Sequence, residues 1–393
     1  MIEIPRNDSQ KSRLGLVLTG GGARAAYQIG VLRAIARMLP PHARNPFPVI
    51  CGTSAGAINA AGLAMGATHF ATGVKRLEAV WSNLHTDQIY RSDLVGVLRN
   101  ALRFLGSIVS NRMAGKPVSL LDNTPLRQLL ACHLPFRGIR RSIHAGALHA
   151  LGITAWGYAS EQSVTFYQAS PDVIPWKRTQ RVGVPSRIGI QHLVASASIP
   201  LIFPAIRVNR EYFGDGSMRQ FAPLSPALHL GADRLLVIGV NEEKEADCGR
   251  IKVVGYPPPA QIAGHVLNSI FVDGLDADLE RLQRINQTLD LIPETEVGNI
   301  SVLRMMDSMV ITPSEKIDEL AQAYASSLPR VIRYFFHAAG AMGPKGSAML
   351  SYVLFEAPFC QALIDLGYQD TLRRQDEVLA FILGNGSGNN GNN

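Results

Sequence analysis

Apolar and polar positions alternate along the first seventy residues in a pattern that predicts two successive strand–helix units. Residues 13–18 (RLGLVL) form a short apolar run of strand length. After a glycine-rich turn, residues 25–39 place Ile29, Leu32, Ile35, Ala36 and Leu39 on one helical face, and Pro40 and Pro41 end that helix. A second apolar run, 47–51, is followed by a helix-compatible stretch at 55–65. Two consecutive strand–helix units lie side by side in a parallel sheet, so the loops at their strand C-termini open into one crevice. Residues 19–24 and 52–56 are therefore expected to be neighbours in space.

Further along, residues 152–158 and 164–168 read as a strand pair, 187–197 as a helix, 207–213 as an alternating strand running into Gly214-Asp215-Gly216, and 235–240 as a buried strand. Helices are expected at 75–81, 261–291, 314–325, 329–338 and 361–383, and a turn at 119–126, with Pro125 suited to a first helical turn, opens a helix that runs to about His133. An apolar segment is read at 347–355 and a last strand at Val310 and Ile311. Residues 47–74 contain no Asp, Glu, Lys or Arg, but Ala, Gly, Ser and Thr dominate, which suits a tightly packed buried helix rather than a lipid-facing one. An amphipathic stretch at 94–109, among Arg91, Arg99, Arg103, Arg112 and Lys116, reads as a surface or lid helix or as one lying on a membrane. The organisation expected is a catalytic domain over 10–245 with a helical insert at 85–150. A mainly helical region, 246–384, packs on it, and the Gly/Asn-rich tail 385–393 is disordered.

The 393 residues carry a net charge of +7, with 47% hydrophobic and 18% charged residues. This balance is compatible with an anionic membrane surface or an acidic ligand. No Lys/Arg block stands out, so nucleic acid is not an expected partner. Cys51, Cys132, Cys248 and Cys360 are too scattered for zinc or a disulfide framework. Residues 1–13 lack the apolar run of a signal peptide, so the expected location is cytoplasmic, with peripheral membrane contact as an option.

Two short patterns carry chemistry. Gly52-Thr53-Ser54-Ala55-Gly56 is a G-x-S-x-G elbow, in which a strand turns sharply into a helix and lifts a serine hydroxyl out of the bend. Gly20, Gly21 and Gly22, followed by Ala23 and Arg24, leave backbone N–H groups exposed. Such a loop serves as an oxyanion hole for acyl transfer, or, as G-x-G-x-x-A, as a phosphate cradle for a nucleotide. The acyl-transfer reading accounts for both loop and elbow. The serine needs a base. In a Ser…Asp…His order, Asp215 with His229 or His265 would serve. Asp215 alone, held between glycines at a strand end, is the better candidate and gives a Ser54–Asp215 dyad.

The set Thr19-Gly20-Gly21-Gly22-Ala23-Arg24, Gly52-Thr53-Ser54-Ala55-Gly56, Ala195-Ser196-x-Ser198-x-Pro200-x-x-Phe203-Pro204, Asp215-Gly216 and Gly231-Ala232-Asp233-Arg234 resembles the patatin-like phospholipases in order and spacing. The resemblance covers roughly residues 13–242. It implies a three-layer α/β/α sandwich with a mainly parallel central sheet, and a lipid acyl hydrolase working without metal or cofactor on phospholipid or other acyl-ester lipids. It further implies Ser54 as nucleophile, Asp215 as general base, and the amides of Gly20, Gly21, Gly22 and Ala23 or Arg24 as oxyanion hole. Two positions depart from the family pattern: Ala25 stands where a glycine is usual, and Ser217 where Gly or Ala is usual. A homodimer is compatible with this reading, and a non-catalytic membrane-associated scaffold is its main competitor.

Overall fold

The computed structural model describes residues 12–91, 119–242, 258–271, 273–291, 304–338, 340–343 and 346–384. The amphipathic stretch 94–109 and the tail 385–393 lie outside this set. Ten strands form one sheet: β1 (Leu14–Leu18), β2 (Val49–Thr53), β3 (Ala150–Gly157), β4 (Ser163–Ala169), β5 (Trp176–Arg178), β6 (Arg181–Pro185), β7 (Ile206–Val208), β8 (Glu211–Asp215), β9 (Arg234–Ile238) and β10 (Asp307–Ile311). The order is β10-β9-β1-β2-β3-β4-β6-β5, and the run from β10 to β3 is parallel throughout.

The strands that expose neither face to water are apolar on both. On β1, Leu14, Leu16 and Leu18 enter the larger core and Val17 the smaller. On β9, Leu236 and Ile238 face one way, Leu235 and Val237 the other. Helices cover both faces. In the N-terminal part these are α1 (Ala26–Met38), α2 (Ala55–Met65), α3 (Phe70–Trp81), α4 (Thr124–His133), α5 (Arg137–His144), α6 (Ile190–Ser196) and α7 (Ser225–His229). In the C-terminal part they are α8 (Pro259–Phe271), α9 (Asp273–Asp290), α10 (Ile317–Ala323), α11 (Arg330–Ala338), α12 (Ser347–Val353), α13 (Ala357–Arg373) and α14 (Gln375–Leu383). Residues of α1, α2, α3 and α13 belong to the larger core, and residues of α7 and α9 to the smaller one. This is the α/β/α sandwich that the resemblance implies.

Strand β3 sets the position of the site. Its first five residues pair with β2, ending at Thr53 opposite Thr154, and its last three pair antiparallel with β8, ending at Asp215 opposite Ala155. β2 and β8 thus run head-on along the same edge of β3, and their C-termini meet between Thr154 and Ala155.

Several boundaries differ from the sequence reading. The single strand expected over 207–213 is a hairpin, because Asn209 adopts φ 54 and turns β7 back into β8. The long helix expected over 261–291 spans α8 and α9, with residue 272 between them outside the described residues. The helix expected over 361–383 starts earlier, with Pro358 in its first turn, and divides at Arg374, whose φ of −113 leaves the helical range. The charge-free stretch 47–74 contains α2, which is buried on nearly every side. Among the described residues no single helix is long and apolar enough to cross a membrane.

Candidate active site

Ser54 follows β2 and precedes α2, with φ 56 and ψ −128. A non-glycine residue held there stores roughly 1–3 kcal/mol of backbone strain, so the neighbours must enforce it. A Cβ on Gly52 would lie 2.4 Å from the Gly56 carbonyl oxygen, and a Cβ on Gly56 2.4 Å from that of Leu18. Strand, helix and β1 therefore touch backbone to backbone. The Ser54 amide donates to Ser196 Oγ at 2.9 Å, and that hydroxyl donates to the Thr154 carbonyl at 2.6 Å. Ser196 sits in the A-S-x-S-x-P run, which marks it in the sequence without revealing what it holds.

The Ser54 hydroxyl donates to Asp215 Oδ2 at 2.6 Å. Asp215 is fully buried; its Oδ1 accepts the Ser217 amide at 2.9 Å and its own amide donates to the Ser198 carbonyl at 2.8 Å. Burial pushes its carboxyl up to about 6, against the opposing pull of hydrogen bonds from Ser54 and Ser217. The histidines considered in the sequence, His229 and His265, lie elsewhere, and so does buried His192, which accepts the Gly189 amide at 3.1 Å and packs edge-on against Phe166. His229 stacks on Trp176 at 5.0 Å, and burial, with Arg178 and Arg181 nearby, lowers it to about 4. His265 is exposed on α8.

The glycine loop follows β1 and closes into a 3₁₀ turn, Gly22–Ala25. Its base is tied down by a buried polar chain: Trp81 Nε1 donates to Asn59 Oδ1, Asn59 Nδ2 to Gln28 Oε1, and Gln28 Nε2 to the Thr19 carbonyl, each within 2.8–2.9 Å. The Arg24 amide donates to the Gly21 carbonyl at 3.1 Å, within the turn. Gly22 and Ala23 occupy the leading positions, where amides have no acceptor inside the turn. Gly20 packs on Ser217 and Phe271, Gly21 on Val240, and Gly22, at φ 56, on the Tyr352 carbonyl. The Arg24 guanidinium is buried among Asn241, Asp318, Ser351 and Tyr352.

Gly22, Ser54 and Ala55 line one end of a narrow apolar cavity of about 70 Å³. Leu77 and Trp81 of α3, Leu126 and Leu130 of α4, and Phe203 form its walls. Tyr352, Val353 and Phe355 close it from the C-terminal part. The polar ends of its aromatic walls are satisfied elsewhere: Trp81 on Asn59, and Tyr352 Oη on Asn268 at 2.8 Å. Sequence reasoning missed the C-terminal wall, because nothing local marks residues 352–355 as partners of a loop some 330 residues earlier. Among the described residues no group of three or more His, Cys, Asp or Glu is placed to hold a metal ion.

A mainly parallel sheet with a strand–serine–helix elbow beside an apolar cavity places the chain in the class of α/β folds built around a nucleophile elbow. Within it, a family model described as patatin-like phospholipase matches residues 16–228, more than half the chain, and the chain belongs to that family. No curated protein sequence matches significantly. Among solved structures, VipD from Legionella pneumophila is similar over 94% of this chain and 68% of its own, at 13% identity and a TM-score of 0.37. Human GIVD cytosolic phospholipase A2, solved with methyl gamma-linolenyl fluorophosphonate, is similar over 98% of this chain and 60% of its own, at 11% identity and a TM-score of 0.44.

Proposed function

We propose that the protein hydrolyses a carboxylic ester of a phospholipid or related lipid through an acyl-enzyme on Ser54, with Asp215 as general base. The observation that carries this is the 2.6 Å hydrogen bond from the Ser54 hydroxyl to a wholly buried carboxylate. Ser54 Oγ attacks the acyl carbonyl carbon while Asp215 takes the hydroxyl proton. The carbonyl oxygen gains the negative charge, and in this reading the leading amides of Gly22 and Ala23, with that of Ala55 at the N-terminus of α2, donate to it. Collapse expels the alcohol, which takes the proton from Asp215. Water, deprotonated by the same carboxylate, then releases the acid and restores Ser54.

The apolar cavity suits an acyl chain. At about 70 Å³ it is far below the several hundred Å³ of an ordinary ligand pocket, so the chain must part its walls on entry. The nucleotide reading is less favoured, because it accounts for the glycine loop but not for the hydrogen bond between Ser54 and Asp215. Peripheral contact with an anionic bilayer fits the +7 charge, the exposed Tyr212, and the exposed Phe221 beside Arg219.

The test is mass spectrometry of products from a mixed lipid extract, together with fluorophosphonate labelling. Wild type should release fatty acid and be labelled at Ser54. Ser54→Ala should do neither, and Asp215→Asn should lose about 10²–10⁴-fold in turnover while folding normally. Near-normal turnover by Asp215→Asn would remove the dyad. Binding to liposomes without lipid release or labelling would leave the scaffold reading instead.

A further inference from the structure

The buried guanidinium of Arg24 is surrounded by groups that all lie beyond the family-matched residues 16–228. Nε and Nη2 donate to Ser351 Oγ at 2.9 and 2.6 Å, Nη1 binds Asn241 and Nη2 pairs with Asp318. The cation lies 3.9 Å from the centre of the Tyr352 ring. Ser351 also donates to Asp318 Oδ1 at 2.9 Å, so α10 and α12 are joined at the same point. Only 2% of the Arg24 side chain is exposed. A buried cation demands full pairing, and a planar fork accepts only one arrangement of partners.

This clamp holds the loop that carries the proposed oxyanion donors. Arg24 is in the same 3₁₀ turn as Gly22 and Ala23, and α12 contacts that turn twice. Through Ser351 and Tyr352 it holds the guanidinium, and through the Tyr352 carbonyl it packs so tightly on Gly22 that a Cβ there would lie 2.1 Å from the oxygen. A donor row displaced by about 1 Å loses much of its effect on a developing oxyanion, on the order of a hundredfold in rate.

We infer that Asp318 and Ser351 are positioning residues of the active site: through Arg24 they fix the Gly20–Arg24 turn at the distance from Ser54 that acyl transfer requires. The inference rests on the reading of Gly22 and Ala23 as oxyanion donors. It assigns a role in the chemistry to a segment outside the family match.

The experiment uses the full chain, p-nitrophenyl butyrate as a short soluble ester, and a fluorophosphonate probe, well below each variant's Tm. Asp318→Asn and Ser351→Ala should lower kcat by about 10–100-fold, leave KM within about twofold, and slow Ser54 labelling in proportion. Asp318→Glu should recover part of the loss, and Arg24→Lys should not, because an ammonium lacks the fork. Ser351→Ala removes no charge and keeps the test available if Asp318→Asn does not fold. Wild-type labelling rates in folded Ser351→Ala and Asp318→Asn, or a loss that only follows Tm, would overturn the positioning role while leaving the dyad intact. A wild-type protein that does not label at Ser54 would overturn the functional reading, and this inference with it.

Discussion

Asp215 is a carboxylate with no solvent-exposed surface in the free protein, and that placement has two opposed consequences. In the proposed role of general base it must be ionised, so kcat/KM for a soluble ester should rise with pH through an apparent pKa of about 6. For stability the sign is the reverse of the usual acidic case. The folded value, about 6, lies above the ordinary 3.8, so the folded protein holds this proton more readily than the unfolded chain. The resulting stability is present below the lower value and lost as pH rises through the higher one, a cost of about 3 kcal/mol at full ionisation. Asn removes that cost and keeps an oxygen for the Ser217 amide. Asp215→Asn should therefore raise Tm at about pH 8, with the difference fading toward about pH 4, while the same variant is nearly inactive. A Tm that falls at both ends would contradict the assignment. Ser217, where the family pattern has Gly or Ala, gains a purpose here: its hydroxyl helps hold the ionised carboxylate. Ser217→Ala should move the pH midpoint upward.

Elements, rather than residues, decide how a lipid would be measured. Leu129 and His133 of α4 and Leu134, its C-cap, line both the cavity at Ser54 and a separate open groove of about 600 Å³. Leu134→Ala should open the cavity into the groove and shift the ratio of long-chain to short-chain kcat/KM by roughly tenfold, and Leu134→Trp should shift it the other way; an unchanged chain-length profile in both would place the acyl chain elsewhere. The same scale shows what the sequence can and cannot carry. The glycines of the elbow and the Asp215-Gly216 turn are legible because close backbone crossings admit little else: a Cβ at Gly216 would stand 2.1 Å from the Thr154 carbonyl. The continuous apolar runs of β1 and β9 are legible because both faces are buried. The edge strand β5 and its neighbour β6 are not: β5 has three residues, two of them exposed, and β6 offers only Val182 and Val184 as an apolar alternation. The hairpin is masked by the left-handed Asn209, and at Arg374, whose side chain reaches Glu377 and the Val310 carbonyl, no proline or glycine marks the division.

At the scale of the whole molecule, the C-terminal part is built into the same core as the matched family region. β10 extends the parallel sheet beyond β9, and α13 lies on α1 at backbone contact. A Cβ on Gly30 would stand 1.9 Å from the Ile364 carbonyl oxygen, and one on Gly367 2.3 Å from that of Tyr27. Nearby, Tyr27 Oη donates to Asp370 Oδ2 at 3.0 Å. Neither helix can give way locally, because the blocking atoms are backbone. Gly→Ala inside an exposed helix adds up to about 1 kcal/mol of stability. At Gly30 the added methyl must instead push α13 off α1, and overpacking of this kind costs about 1–3 kcal/mol. Gly30→Ala is therefore expected to lower Tm. Because α13 follows directly on α12, which carries Ser351, Tyr352 and the cavity wall, the shift should also reach Arg24, so that turnover of a soluble ester falls even at temperatures where the variant is fully folded. Ile35→Val, in the same helix and the same core, removes one methylene at a cost of about 0.5–1.5 kcal/mol without moving α13. It should lower Tm and leave turnover per folded molecule unchanged. Equal turnover in the two variants at matched stability would mean that the seating of α13 on α1 does not reach the glycine loop.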